Sequence, residues 1–369
     1  MNEQTQLTQT AKKERNLYIS YIKGAAIIGI ILIHLIDWSN MRLPKTGHFV
    51  EDLLHSAVLL FVLVGGSVTF VAYERKPISI QVKRLIYRAG QLLFIYYLYS
   101  IVKLLIFNFR TEPFYEQFSK IGTLTIPDIL KFHSFSVPIT VLITYPFLLA
   151  ISPLFLLIAK KARRPVWIIG VSAIGLFIIN YWTGIPNATS FIIKFIYANG
   201  YVLFPIALWL LPFLIGFFLA QVGFEKQRRW ILIAGMAFTV FYGAKLLLAH
   251  QSLSLSDHEF PLSPYFIAFG VFMLGLLLYF FRFVEKTRNR WVRGALAASR
   301  LLGDKTLSIY IYHWVVIDLT IWIFYPHAGL IWLTVAAYLS LYLLINKKKL
   351  FEYYLHQKET ARELGAEIS

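Results

Sequence analysis

Residues 17–38, LYISYIKGAAIIGIILIHLIDW, constrain this chain more than any other stretch. At ~1.5 Å per residue they cover the ~30 Å hydrocarbon core of a bilayer, so a membrane-spanning helix is predicted there. Two of its residues conflict with lipid: Lys23, about a third of the way in, and His34 near the far end. At ~100° per residue, the eleven steps between them return to within ~20° of the starting direction. Both side chains therefore share one face, ~16.5 Å apart along the axis. Gly24, Ala25, Ala26 and Gly29 keep the segment slim enough for close helix packing. A lone buried His is as often structural as functional, but an ionisable group in a membrane points to function, and Lys23 on the same face adds weight.

Nine further apolar runs are long enough to cross: roughly 53–73, 82–107, 137–159, 166–183, 201–221, 230–249, 263–283, 306–325 and 329–346. The expected class is an all-α polytopic membrane protein with about ten transmembrane helices. Composition agrees, with 58% hydrophobic and only 15% charged residues, against roughly 25% charged in soluble domains. The connections alternate in charge. The N-terminus and the stretches 74–88, 160–164, 225–229, 282–305 and 347–349 are basic; the other connections are poor in Lys and Arg. The positive-inside rule places the basic segments, and hence both termini, in the cytoplasm. The net charge of +17 then reflects loops facing anionic lipid, not nucleic-acid binding. Absent cysteines exclude disulfides and thiolate chemistry.

The chain divides into a cytoplasmic tail (1–16), a transmembrane domain (17–346) and a cytoplasmic C-terminal tail (347–369) read as a surface helix. Two outer connections stand out: 108–136, with Phe109, Phe114, Tyr115 and Phe118, and 184–200, with an apolar patch from Phe191 to Tyr197. Each suits an interfacial segment, and the first also suits a cover over a site. No P-loop, metal-spaced His cluster or internal repeat is evident.

Four constellations can carry chemistry. His34, at the outer end, is suited to act as general base on a hydroxyl arriving from outside. Asp37, one turn on, either orients that imidazole or sits in the headgroup zone beside Trp38. Lys83, Arg84 and Arg88 begin the third span, where such a cluster clamps phosphates or simply anchors topology. The 302–314 stretch, LGDKTLSIYIYHW, brings His313 about two turns into the ninth span, with Ser308, Tyr310 and Tyr312 nearby. Asp318 lies midway through that span and needs a partner or a neutral state; Lys103 and Lys245 are candidates. Gly65-Gly66-Ser67 in the second span allows close approach of a helix or a ligand.

These pieces together resemble the acyltransferase 3 family of integral membrane acyltransferases. That family's first span follows L-D-x-L-R-G-x-A, with a His eleven positions after the Arg; here Ile19 to Ala26 leads to His34 at that spacing. Leu60 to Gly66 is similar to the family's F-F-x-L-S-G-F, and Lys83 to Arg88 to its R-R-x-x-x-R. Leu302-Gly303 through Ser308-Ile309-Tyr310-Ile311-Tyr312-His313 is similar to L-G-x-x-S-Y-S-I-Y-L-x-H. Ser20, Lys23 and Val64 stand where the family has Asp, Arg and Ser. Lys keeps the charge of Arg but not its bidentate fork.

The resemblance implies transfer of an acyl group, usually acetyl from cytoplasmic acetyl-CoA, to a hydroxyl of a surface glycan or similar acceptor. It implies no tightly bound cofactor, and a place in a bacterial cell membrane. His34 carries over as the catalytic residue, and Lys23, Arg84 and Arg88 as donor-side residues. The rival is a secondary transporter or exporter using Lys23, His34 and Asp318 as proton or substrate site, against which stands the lack of repeats. Reporters fused after Arg163 and Lys226 are expected to read as cytoplasmic, and one near Thr123 as external; a reversed reading at any of the three removes a span.

Overall fold

The computed structural model describes residues 3–38, 45–107, 126–130, 141–161, 170–171, 174–175, 177–178, 206–259, 262–324 and 328–366. Helices account for nearly all of them, and no strand occurs among them. The elements are α1 (Glu3–Trp38), α2 (Lys45–Tyr73), α3 (Ile78–Phe107), a short α4 (Ile126–Leu130), α5 (Val141–Lys161), α6 (Ile206–Val222) and α7 (Phe224–Leu248). A short α8 (Ser256–Glu259) follows, then α9 (Pro264–Glu285), α10 (Arg290–Asp304), α11 (Thr306–Phe324), α12 (Ala328–Ile345) and α13 (Lys347–Ala366).

Seven described helices are long and apolar enough to cross a membrane: α1 over Leu17–Ile36, α2, α3, α5, α7, α9 and α11. The count is eight if α12 and α13, which meet at a 75° bend, form one broken span. Ten are expected from the sequence. Two of the differences fall where the description stops: α6 is described over 17 residues, with 201–205 of its run outside, and most of the 166–183 run lies outside the described residues. The aromatic connection 108–136 and the 184–200 patch also lie outside them, except for α4.

The basic 282–305 stretch, read from sequence as a connection, contains a helix. Asn289 caps it: Oδ1 accepts from the Trp291 and Val292 amides at 2.8 and 3.4 Å. Leu296, Ala297, Leu301 and Leu302 are buried along one side, while Arg290, Arg293 and Arg300 supply the charge that disguises an amphipathic helix as a topological loop.

The chain forms two compact units. The first comprises Met1–Val64, Val222–Asp257 and Pro264–Ser369. In it α1 and α10 touch backbone to backbone. A Cβ on Gly24 would lie 1.9 Å from the Ser299 carbonyl oxygen, and one on Gly303 would lie 1.9 Å from that of Ser20. The Ser299 hydroxyl donates to the Tyr21 carbonyl at 3.0 Å, and Ser20 to the Asp304 carboxylate at 2.9 Å. Gly29 brings α1 against α2, where an added Cβ would meet the Ala57 Cβ at 2.7 Å. On its other side α10 packs against α13, with the Arg300 guanidinium 4.2 Å from the Tyr353 ring centroid. α7 ends in a Schellman turn: the Gln251 amide donates to Leu246 and the His250 amide to Leu247, with His250 at φ 53.

The second unit comprises Gly65–Gln221 and His258–Ser263. Here the second half of α2 packs on α6. A Cβ on Gly66 would lie 1.9 Å from the Phe213 carbonyl oxygen, Ser67 donates to the Gly216 carbonyl at 2.8 Å, and Phe70 meets Phe217 edge-on. Gly66-Ser67 is therefore a helix contact. The buried Gln81 amide closes the α2–α3 turn by donating to the Tyr73 and Lys76 carbonyls at 2.7 and 2.9 Å.

Gly303→Ala is expected to destabilise by about 1–3 kcal/mol, the usual cost of forcing atoms into a filled contact. Gly294→Ala, in the same helix with nothing within 4 Å of the added Cβ, is expected to be neutral or stabilising by up to ~1 kcal/mol. Melting of the two detergent-solubilised variants checks the contrast.

Candidate active site

Two histidines, one on α1 and one on α11, meet in the first unit. The His34 and His313 rings are stacked, with centroids 5.7 Å apart and planes at 14°. Trp314 packs on both, at 4.3 Å from His34 and 5.1 Å from His313. Tyr310 meets the edge of His313 at 5.4 Å and itself packs on Phe61. One wall of the site is thus a cluster of rings from α1, α2 and α11.

The two histidines are not equivalent. His313 and Trp314 are fully buried, whereas His34 is partly exposed. His313 Nδ1 lies 3.1 Å from the Ile309 carbonyl oxygen. A carbonyl only accepts, so Nδ1 carries the proton, and in the neutral ring Nε2 carries the lone pair. That Nε2 is buried without a hydrogen-bond partner. A buried polar atom left in this state is costly and calls for an explanation. His55 of α2 lies close enough to interact electrostatically with His34, placed there by the Gly29–Ala57 contact.

The other residues singled out from sequence fall in several places. Asp37 is in the last turn of α1, and its side chain lies outside the described residues. Lys23 is partly exposed on α1, in the first unit. Lys83, Arg84 and Arg88 are exposed along α3, in the second unit, and Arg88 interacts electrostatically with Tyr145. Ser20 stands where the resembling family has an Asp; its hydroxyl bonds Asp304, so a carboxylate reaches this point from α10 instead. Tyr310 is buried in the ring cluster, whereas Ser308 and Tyr312 are exposed. Asp318 is buried one to two turns beyond His313, and Lys103 is buried in α3 with its ammonium 6.0 Å from the Tyr99 ring. Lys245 is exposed on α7.

Sequence reading missed His55 and the role of Trp314. The signal was present, a lone His near one end of an apolar run, but its closeness to His34 depends on a Gly–Ala contact that no spacing reveals.

A stacked pair of imidazoles, one partly open and one buried with a defined tautomer, can take a proton from a hydroxyl and hold it. Basic groups further along the helices can hold a polyanion. No curated protein and no solved structure matches the chain. The model of the acyltransferase 3 family, described as an acyltransferase domain, matches residues 16–345, and the chain, with its long apolar helices, belongs to that family of multi-pass membrane proteins.

Proposed function

We propose that the protein transfers an acyl group, acetyl in the first instance, from a cytoplasmic acyl-CoA to a hydroxyl of an extracytoplasmic glycan or similar acceptor. The observation that carries this reading is the His34–His313 stack against Trp314. His34, the open member, takes the proton from the acceptor hydroxyl. The hydroxyl oxygen bonds to the thioester carbonyl carbon, the C–S bond breaks, and the proton ends on the departing thiolate. His313, locked through Nδ1, holds the His34 ring in place and offers its Nε2 lone pair to a proton nearby. An acyl-His intermediate would instead make His34 the nucleophile on the thioester, and a burst of released CoA in the first turnover separates the two routes. Lys23 on α1 and Lys83, Arg84 and Arg88 on α3 are the donor-side residues, and exposure leaves the α3 side chains able to reach phosphate.

His34→Ala is expected to leave expression near normal and to lower acyl transfer at least ~100-fold, the usual scale for an acid/base group. Asp37→Asn costs less. Near-wild-type turnover in the His34 variant would move the base to His313.

Arg84→Ala and Arg88→Ala are expected to raise the donor KM several-fold, about the worth of one charge-assisted hydrogen bond, with the acceptor KM unchanged. A phosphate contact is made alike in ground and transition states, so kcat should hold. Kinetics in sealed vesicles of known orientation check both the parameter and the side from which the donor enters.

A further inference from the structure

One end of the α7–α9 pair carries groups that neither the histidine site nor the helix packing uses. The two helices run antiparallel in close contact: Gly235 faces the Phe272 main chain, and Gly275 faces that of Leu232. The start of α7 therefore lies beside the end of α9, and the Arg228 guanidinium sits 5.6 Å from the Tyr279 ring centroid. The end of α9 is tied to a third helix, because the Tyr18 hydroxyl donates to Glu285 Oε2 at 2.6 Å. The spanning segments begin or end near these residues: Leu17–Ile36 in α1, Gln227–Leu248 in α7 and Pro264–Glu285 in α9. Three spans thus share one boundary level, and the turn 286–289 into α10 follows directly from it.

Two kinds of side chain are exposed around this boundary. The first is aromatic. Trp230 and Phe280 are more than half exposed, and Phe283 and Trp291 are 79% and 74% exposed. Such rings are costly in water but favoured between hydrocarbon and headgroups. The adjoining stretch of α7 is apolar and open, with only 11% of its spanning window buried. The second kind is cationic. Arg229, Lys286, Arg288 and Arg290 are exposed, and the Arg290 guanidinium lies 5.1 Å from the Trp291 ring centroid. Packing on a ring orients a guanidinium and leaves its edge N–H groups to donate. The positive balance holds over the whole local sequence. Residues 224–230 and 279–293 contain eight Lys and Arg against Glu225 and Glu285, and Glu285 is buried and bonded to Tyr18. Neither the residues before Leu17 nor the stretch 347–369 reverses the sign, since each holds one more basic than acidic residue.

We propose that this end of the α7–α9 pair, with the turn into α10, binds an anionic phospholipid of the adjoining leaflet. Arg288 and Arg290 donate to its phosphate, and Arg229 and Lys286 add to the attraction. Its acyl chains lie against the exposed rings and the open side of α7. The combination of cations with rings selects this class of ligand. A soluble phosphate uses the cations alone, and a zwitterionic lipid carries no net charge for them to attract.

The test is binding to the full-length protein in neutral detergent, with three probes: phosphatidylglycerol, phosphatidylcholine of the same chains, and glycerol phosphate as the headgroup without chains. Phosphatidylglycerol is expected to bind at least ~tenfold more tightly than either of the others. At a membrane surface each cation is worth roughly a fivefold change in affinity. Arg288→Ala combined with Arg290→Ala is therefore expected to lower phosphatidylglycerol affinity at least ~tenfold and to leave phosphatidylcholine unchanged. Arg229→Ala combined with Lys286→Ala, which leaves α10 untouched, is expected to act in the same direction. Trp291→Ala is expected to weaken both lipids several-fold. Lys347→Ala combined with Lys348→Ala removes the same charge from another exposed basic run, and is expected to change nothing by more than about twofold. Melting without lipid checks that each variant is folded. Equal affinity for the two lipids overturns the proposal, as does an equal loss in the Lys347 and Lys348 variant, which would reduce the effect to net charge. Glycerol phosphate binding as tightly as the anionic lipid overturns it too, and makes this a site for a soluble phosphate. Binding is read without turnover, so the outcome is independent of the acyl-transfer reading.

Discussion

Backbone contact between α1 and α10 is the interaction on which the first unit depends. Helices normally pack at 8–10 Å because side chains hold them apart. Gly24 and Gly303 remove that spacer at reciprocal positions, each facing the other helix's main chain at Ser299 and Ser20. In lipid there is no hydrophobic force between helices, so close van der Waals contact and the hydrogen bonds it permits carry the association. Here Ser299 and Ser20 supply those bonds. The contact sets both the distance and the register of α10 on α1.

The candidate site has a division of labour that follows from burial. His313 sits deeper, its ring fixed by one main-chain bond and by Trp314 and Tyr310. His34 is the more exposed of the two. An imidazole free to rotate would lose catalytic alignment; aromatic neighbours remove that freedom without adding competing hydrogen bonds.

Substitutions relative to the family pattern are absorbed locally. Where the motif has Asp, Ser20 bonds the Asp304 carboxylate, and where it has Ser before the glycine pair, Val64 is buried. The carboxylate at the first of these points is retained by a different helix, so the loss of one charged side chain from the motif does not remove the charge from the fold.

The sequence by itself determined that the chain is helical and crosses a membrane several times, because 58% hydrophobic residues in runs of bilayer length leave no other economical structure. It determined His34 and Lys23 as residues out of place in lipid, and the 302–314 stretch as a second locus. The helix at Arg290–Asp304 was hidden because its Arg residues, two of which pack on the tyrosines of α13, also read as a topological loop. Seven or eight of the ten expected crossings fall among the described helices. Only the tertiary structure decided that His34 and His313 stack, that Trp314 and His55 join them, and that Asp52 faces Ser254 and Leu255, some 200 residues further along the chain. These pairings join residues far apart in the chain, and composition and periodicity do not encode which helix lies on the other side.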